Sequence, residues 1–157
     1  MMNLPKSRRA QSSFELLITV SFGLVILLPI VVIAFAQISS SNSSLSSTEA
    51  QAAATKLANI AASVGAQGYP ARQLVLVQVP PGVQNVYVGT QTNGVGHVII
   101  FTVSTSSGPS YVTAYTPVNV SGNLGGISAQ GSYLVNVSAQ TSCPSNGAVP
   151  CVYIQQS

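Results

Sequence analysis

From Leu16 to Ala36 the sequence reads LLITVSFGLVILLPIVVIAFA, and none of those 21 positions carries a charge. A helix rises about 1.5 Å per residue, so this run is long enough to cross the roughly 30 Å hydrocarbon core of a bilayer. Its length and its apolarity on every side exclude the core helix of a soluble protein. The run predicts a membrane span and, in a chain of 157 residues, leaves room for one modest domain beyond it. Pro29 interrupts the run and removes the donor for the carbonyl of Val25, a defect that neighbouring helices are suited to support.

Charged residues make up 4% of the chain, against roughly 25% in ordinary soluble proteins. Lys6, Arg8 and Arg9 precede the span, and beyond residue 10 Lys56 and Arg72 balance Glu15 and Glu49. Cations in front of the apolar run and none after it until Lys56 predict a cytoplasmic N-terminus, with the chain beyond about residue 37 outside the cell. The body is neutral, with no basic stripe and no tryptophan, so nucleic acid is not an expected partner.

The residues entering the span, RRAQSSFELLITV at 8–20, place Arg8, Arg9 and the small Ala10 before Gln11, Ser13 and Glu15. This resembles the class III signal peptide of archaeal type IV pilin-like proteins, a Q-x-S-x-E pattern leading into a hydrophobic run. Thr19 stands where that pattern often has leucine. The resemblance implies a leader of residues 1–10 cut between Ala10 and Gln11 by a membrane-embedded prepilin peptidase. It also implies that the helix is kept for assembly with copies of this chain or related pilins. The membrane would hold the subunit before assembly, and an extracellular filament would be its destination. A lone carboxylate at a membrane edge is costly unless paired. The resemblance gives Glu15 a partner, the new amine of Gln11 on a neighbouring subunit; a carboxylate that snorkels near the positive end of the helix dipole is the simpler alternative. Archaellins share the general layout, but the Gln, Ser, Glu leader and the small distal domain favour the pilin-like group. A competing reading takes Ala34 to Ala36, an A-x-A pattern before Gln37, as a conventional secretory cleavage site that would release a soluble domain.

After the span, residues 39–48 are nearly all serine, which alone reads as a flexible linker. Ala50, Ala54, Leu57, Ala61 and Val64 then recur at helical spacing, and Thr48 with Gln51 has the spacing of a capping box from which a helix can restart. Gly65, Gly68 and Pro70 close the stem. We therefore expect a helix over 11–66, weakest at the serines, whose alanine stripe packs on other structure.

From Gln73 the period changes. QLVLVQV, QNVYVG, HVIIFTV, SYVTAYT, GSYLVNV and AVPCVYI are short β-branched and aromatic runs divided by PPG, TNG, SSGPS and SGNLGG. The expected class is α+β: a long N-terminal helix followed by a small antiparallel β-domain over 67–157, built as a sandwich or as a sheet packed on the stem. The junction GYPARQLVLVQVPPGV is also similar to the helix-to-sheet junction of class III pilin-like proteins. Cys143 and Cys151 flank PSNGAVP, a loop that a disulfide can close outside the cytosol, and their spacing without further ligands does not make a zinc site. Asn42, Asn119 and Asn136 each begin an N-x-S/T sequon, so each is a candidate N-glycosylation site.

Beyond the stem the side chains include one histidine, His97, one arginine and no carboxylate. No acid–base pair, activated nucleophile, metal-ligand set or phosphate loop can be assembled, so neither catalysis nor a cofactor is expected. The expectation is a structural subunit of a type IV pilus-like adhesive surface filament. The alternative is a membrane-anchored or secreted binding module that does not polymerise, using the same β-domain, where Tyr111, Tyr115 and Tyr133 are candidates to converge.

Overall fold

The computed structural model describes residues 8–92, 94–145 and 149–157, with side chains from Ser13 onward. Residues 1–7 of the leader, and the side chains of residues 8–12, including Arg8, Arg9, Ala10 and Gln11, lie outside the described residues. The helix α1 spans Arg8–Gln67. Its first part belongs to one compact unit ending at Ser41; residues 42–67 belong to a second unit, Asn42–Ser157, that also holds every strand.

Helix formation does not stop at the serine run. Thr48 is not a cap: its hydroxyl donates back to the carbonyl of Ser44 at 2.9 Å, satisfying the side chain inside the helix. Gln51 turns instead toward Thr55 Oγ1 at 3.3 Å and the carbonyl of Thr113 at 3.4 Å. The amide of Ser106, in a tight turn at residues 106–107, donates to Ser43 Oγ at 3.3 Å, so the serine-rich stretch is tied near its start to the distal domain. The helix ends where expected. Gly68 has φ +70°, and its amide donates to the carbonyls of Val64 and Gly65, a left-handed glycine terminus.

Six strands follow among the described residues: β1 Arg72–Val79, β2 Val83–Val88, β3 Gly96–Thr105, β4 Gly108–Asn123, β5 Gly131–Gln140 and β6 Cys151–Gln156. They form one sheet in the order β1-β5-β6-β4-β3-β2. The architecture is thus α+β, but the second layer over the sheet is the stem helix and not the second sheet of a sandwich. All neighbours are antiparallel except β4 and β6, which run parallel over Val120–Asn123 and Val152–Gln155.

One face of the sheet is apolar at alternate positions, as in Val75, Val77 and Val79 of β1 and Val135, Val137 and Ala139 of β5. Ala50, Ala53, Ala54, Leu57, Ala58, Ala61 and Val64 of α1 join these residues in a single core. The alanines let the helix axis approach the sheet, and Leu57 and Phe101 supply the largest fully buried volumes. Gly65 is the closest point: a Cβ there would lie 2.8 Å from Val118 Cγ1. Strand β4 runs on through Pro117 because the pairing with β3 jumps from Val98↔Tyr115 to Gly96↔Val120, a bulge in which proline owes no ladder donor.

Candidate functional site

Residues 13–42 are exposed without exception. Seventeen large apolar side chains from Phe14 to Ile38 retain between 47% and 70% of their accessible surface. Burying such a side chain from full exposure stabilises by about 1.5–3 kcal/mol, and because each here retains about half to two-thirds of its surface, covering the helix is worth roughly 15–30 kcal/mol. That exceeds the net stability of a typical domain, and the segment requires an apolar environment outside its own fold. Among the described residues this is the one helix long and apolar enough to cross a membrane.

Glu15 sits on the exposed surface of α1 near its beginning and forms no ion pair with a described residue. Its backbone carbonyl accepts the hydroxyl of Thr19 at 2.9 Å. This bond explains how a threonine is accommodated where an apolar side chain is expected: its polar atom is satisfied within the helix. Gln11 lies one helical turn before Glu15, with the backbone of both in α1. The carboxylate thus occupies a helical position, with no ion pair to a described residue, beside a segment that must be covered.

The distal unit contains the Cys143–Cys151 disulfide, with Cα atoms 5.5 Å apart. Its loop is closed across itself, where the amide of Cys143 donates to the carbonyl of Val149 at 3.0 Å, and is bound back to the sheet where Ser145 Oγ hydrogen-bonds Ser121 Oγ of β4. The three sequons differ sharply. Asn42 is exposed on α1, whereas Asn119 donates its amide to the carbonyl of Pro150 at 3.5 Å. Asn136 lies in β5 opposite Leu74 of β1 and Gln155 of β6, with its Oδ1 buried and unpaired. Tyr111 and Tyr115 stand exposed on the sheet face away from the helix, but Tyr133 points to the opposite face and donates to the carbonyl of Ala129 at 3.0 Å. The three tyrosines do not converge.

His97 is exposed, and its Nδ1 lies 3.3 Å from the carbonyl of Thr116. Among the described residues no three His, Cys, Asp or Glu side chains are placed to hold a metal ion. A hollow of about 480 Å³ joins Glu49 and Lys56 of α1 to Gln78, Gln130 and Ser132. A second, at the end of α1, is lined by segments far apart in sequence, including Tyr69, His97 and Asn119. Neither hollow is signalled by a motif, because each depends on long-range pairing. Compared with known protein families, curated proteins and solved structures, the chain matches none.

Proposed function

We propose that this chain is a structural subunit of a type IV pilus-like surface filament. The observation that carries the reading is the uncovered apolar segment over residues 13–38, headed by Glu15 and preceded by the basic, small, Gln, Ser, Glu order of residues 8–15. Before assembly, lipid covers this segment. Cleavage between Ala10 and Gln11 removes Lys6, Arg8 and Arg9, which would otherwise hold the N-terminus at the cytoplasmic surface. The same cut creates a cationic amine at Gln11. That amine neutralises Glu15 of a neighbouring subunit, and the apolar helices exchange lipid for one another. Membrane helices associate through packing and polar pairing, so a carboxylate–amine pair in an apolar bundle both orients and registers the subunits. The neutral β-domain, rich in Ser, Thr, Asn and Gln, then forms the exterior.

Mass spectrometry of the N-terminal peptide from native cells, with a deglycosylated control, tests this reading. A mature start at Gln11 together with recovery of the protein in sheared filaments is the expected result. A start at Gln37 refutes it, because the assembly helix would be lost. A start at Met1 or Met2, with the protein absent from filaments, leaves the membrane-anchored binding module.

A further inference from the structure

Where α1 ends, a hollow of about 360 Å³ opens between the Gly68 turn, the bulged part of β4 and the disulfide loop. Its size falls within the roughly 300–1,000 Å³ of small-molecule sites. The polar lining comes from Tyr69, His97, Asn119, Gln140 and Thr141, with Pro117 and Pro150 among the apolar walls, and among the described residues it contains no Asp, Glu, Lys or Arg. Tyr69 is 66% exposed, so its ring is open to a ligand. Asn119 is steadied by its bond to Pro150 and Gln140 by a 3.1 Å bond to Ser138 Oγ, while the His97 ring is placed against the carbonyl of Thr116. Each of these three side chains keeps further donor or acceptor capacity for a guest.

The lining selects a ligand class by elimination. An anionic guest would find no lysine or arginine, and a cationic guest no carboxylate, so neither charge would be compensated. A wholly apolar guest would desolvate the two amides and the imidazole without returning their hydrogen bonds. A sugar ring meets both demands. Its C–H face stacks on an aromatic side chain, and its hydroxyls donate to and accept from amides, hydroxyls and imidazole. We propose that this hollow binds a neutral saccharide unit, with Tyr69 as the stacking platform and Asn119, Gln140 and His97 reading its hydroxyls. The site lies wholly within the Asn42–Ser157 unit, so it goes beyond the filament reading and does not depend on polymerisation.

The test uses the full chain, produced without N-glycans and held in a polyoxyethylene detergent, because sugar-headed detergents would compete. The probes are the methyl glycosides of glucose, galactose, mannose and N-acetylglucosamine at millimolar concentration. Saturation transfer from protein to sugar protons by NMR detects binding, and titration gives the affinity. Binding of at least one glycoside is expected. Tyr69→Ala should weaken it about tenfold; Tyr69→Phe should preserve it, and so should Tyr115→Ala, because Tyr115 does not line the hollow. Gln140→Ala, expected to weaken binding several-fold, serves as the second probe of the same hollow should Tyr69→Ala lose its native circular dichroism. Absence of transfer to all four glycosides overturns the proposal. So does unchanged affinity in both Tyr69→Ala and Gln140→Ala, or loss of binding in Tyr115→Ala.

Discussion

Gly65→Ala tests the packing of the stem on the sheet. Alanine in place of a helical glycine normally gains about 1 kcal/mol. Here the added methyl would sit 2.8 Å from Val118 Cγ1 and 3.1 Å from its Cβ and Cγ2. A valine side chain is too short to swing away, so the helix or β4 must shift. Overpacking of this kind costs about 1–3 kcal/mol. The expected balance is a net loss of about 1 kcal/mol, or about 3 °C in melting temperature for a chain of this size. The sign of a double-mutant cycle is the sharper observable. Val118→Ala alone removes apolar contact, but in combination it frees the space that the added methyl needs. The pair should therefore be more stable than the two single effects added together, by about 1–2 kcal/mol. Thermal unfolding of the full chain in mild detergent, followed by circular dichroism, measures all four species. A stabilised Gly65→Ala protein with no coupling to Val118 would refute the close approach, and Gly65 would then be only a helix-weakening residue.

Replacing both Cys143 and Cys151 by alanine should lower stability by about 2.5 kcal/mol on the chain-entropy estimate for so short a loop, measured by denaturant titration without reductant. Leu57→Ala, at a side chain with 1% exposure beneath the sheet, should cost about 2–5 kcal/mol, whereas Leu57→Met should cost less than about 1.5 kcal/mol in the same titration. Glu15→Gln should leave leader cleavage intact, as read by the mature N-terminus, yet greatly reduce the protein recovered in sheared filaments if the filament reading holds. Glycopeptide mass spectrometry should find Asn42 occupied and Asn136 unmodified, since the Asn136 amide stands between two flanking strands with its oxygen buried.

Local chemistry made much of this fold readable. The alternation in QLVLVQV appears as the strict exposed–buried pattern of β1 after its first residues, and the Ala50, Ala54, Leu57, Ala61 and Val64 stripe is the core face of α1. The cysteine pair closes the loop that its spacing suggests. Nonlocal features were hidden. SGNLGG reads as a turn, but Ser121, Gly122 and Asn123 continue β4 because β6 arrives in parallel beside them. At Gly122 a Cβ would clash with the carbonyl oxygen of Ile154, so the residue that looks like a turn signal is a requirement of strand approach. Gly65 likewise reads as a helix stop, yet it is helical and serves packing. The serine run misled for a different reason. Its weak propensity is overridden where Thr48 bonds within the helix and Ser43 meets the β3–β4 turn. The long apolar helix was legible because its length and apolarity need only composition and order. The hollow at the end of α1 was not, since its lining runs from Gly65 to Val152 and meets only after the sheet forms.

The scarcity of charge gives the few remaining cations unusual structural weight. An open sheet has two edges whose unpaired backbone groups invite another strand, and soluble proteins commonly blunt them with charge, bulges or shortness. In β1 the carbonyl of Ala71 just before the strand accepts from Ala139 of β5, so by alternation Leu74 and Leu76 turn their backbone groups outward. Their side chains are also exposed, at 59% and 52%, which makes this an apolar as well as an unpaired edge. Lys56 reaches across from α1 and donates to the outward carbonyl of Leu76 at 2.8 Å, and Arg72 begins the same strand. Both cations found beyond residue 10 therefore stand at this edge. The opposite edge, β2, has no such charge, but it is only six residues long and its register with β3 slips between Val83 and Asn85. One edge is thus blunted by a lysine donor and the other by brevity and a bulge. With the edges blunted in these two ways, the most extensive apolar surface among the described residues is the helix over residues 13–38, and not a strand edge.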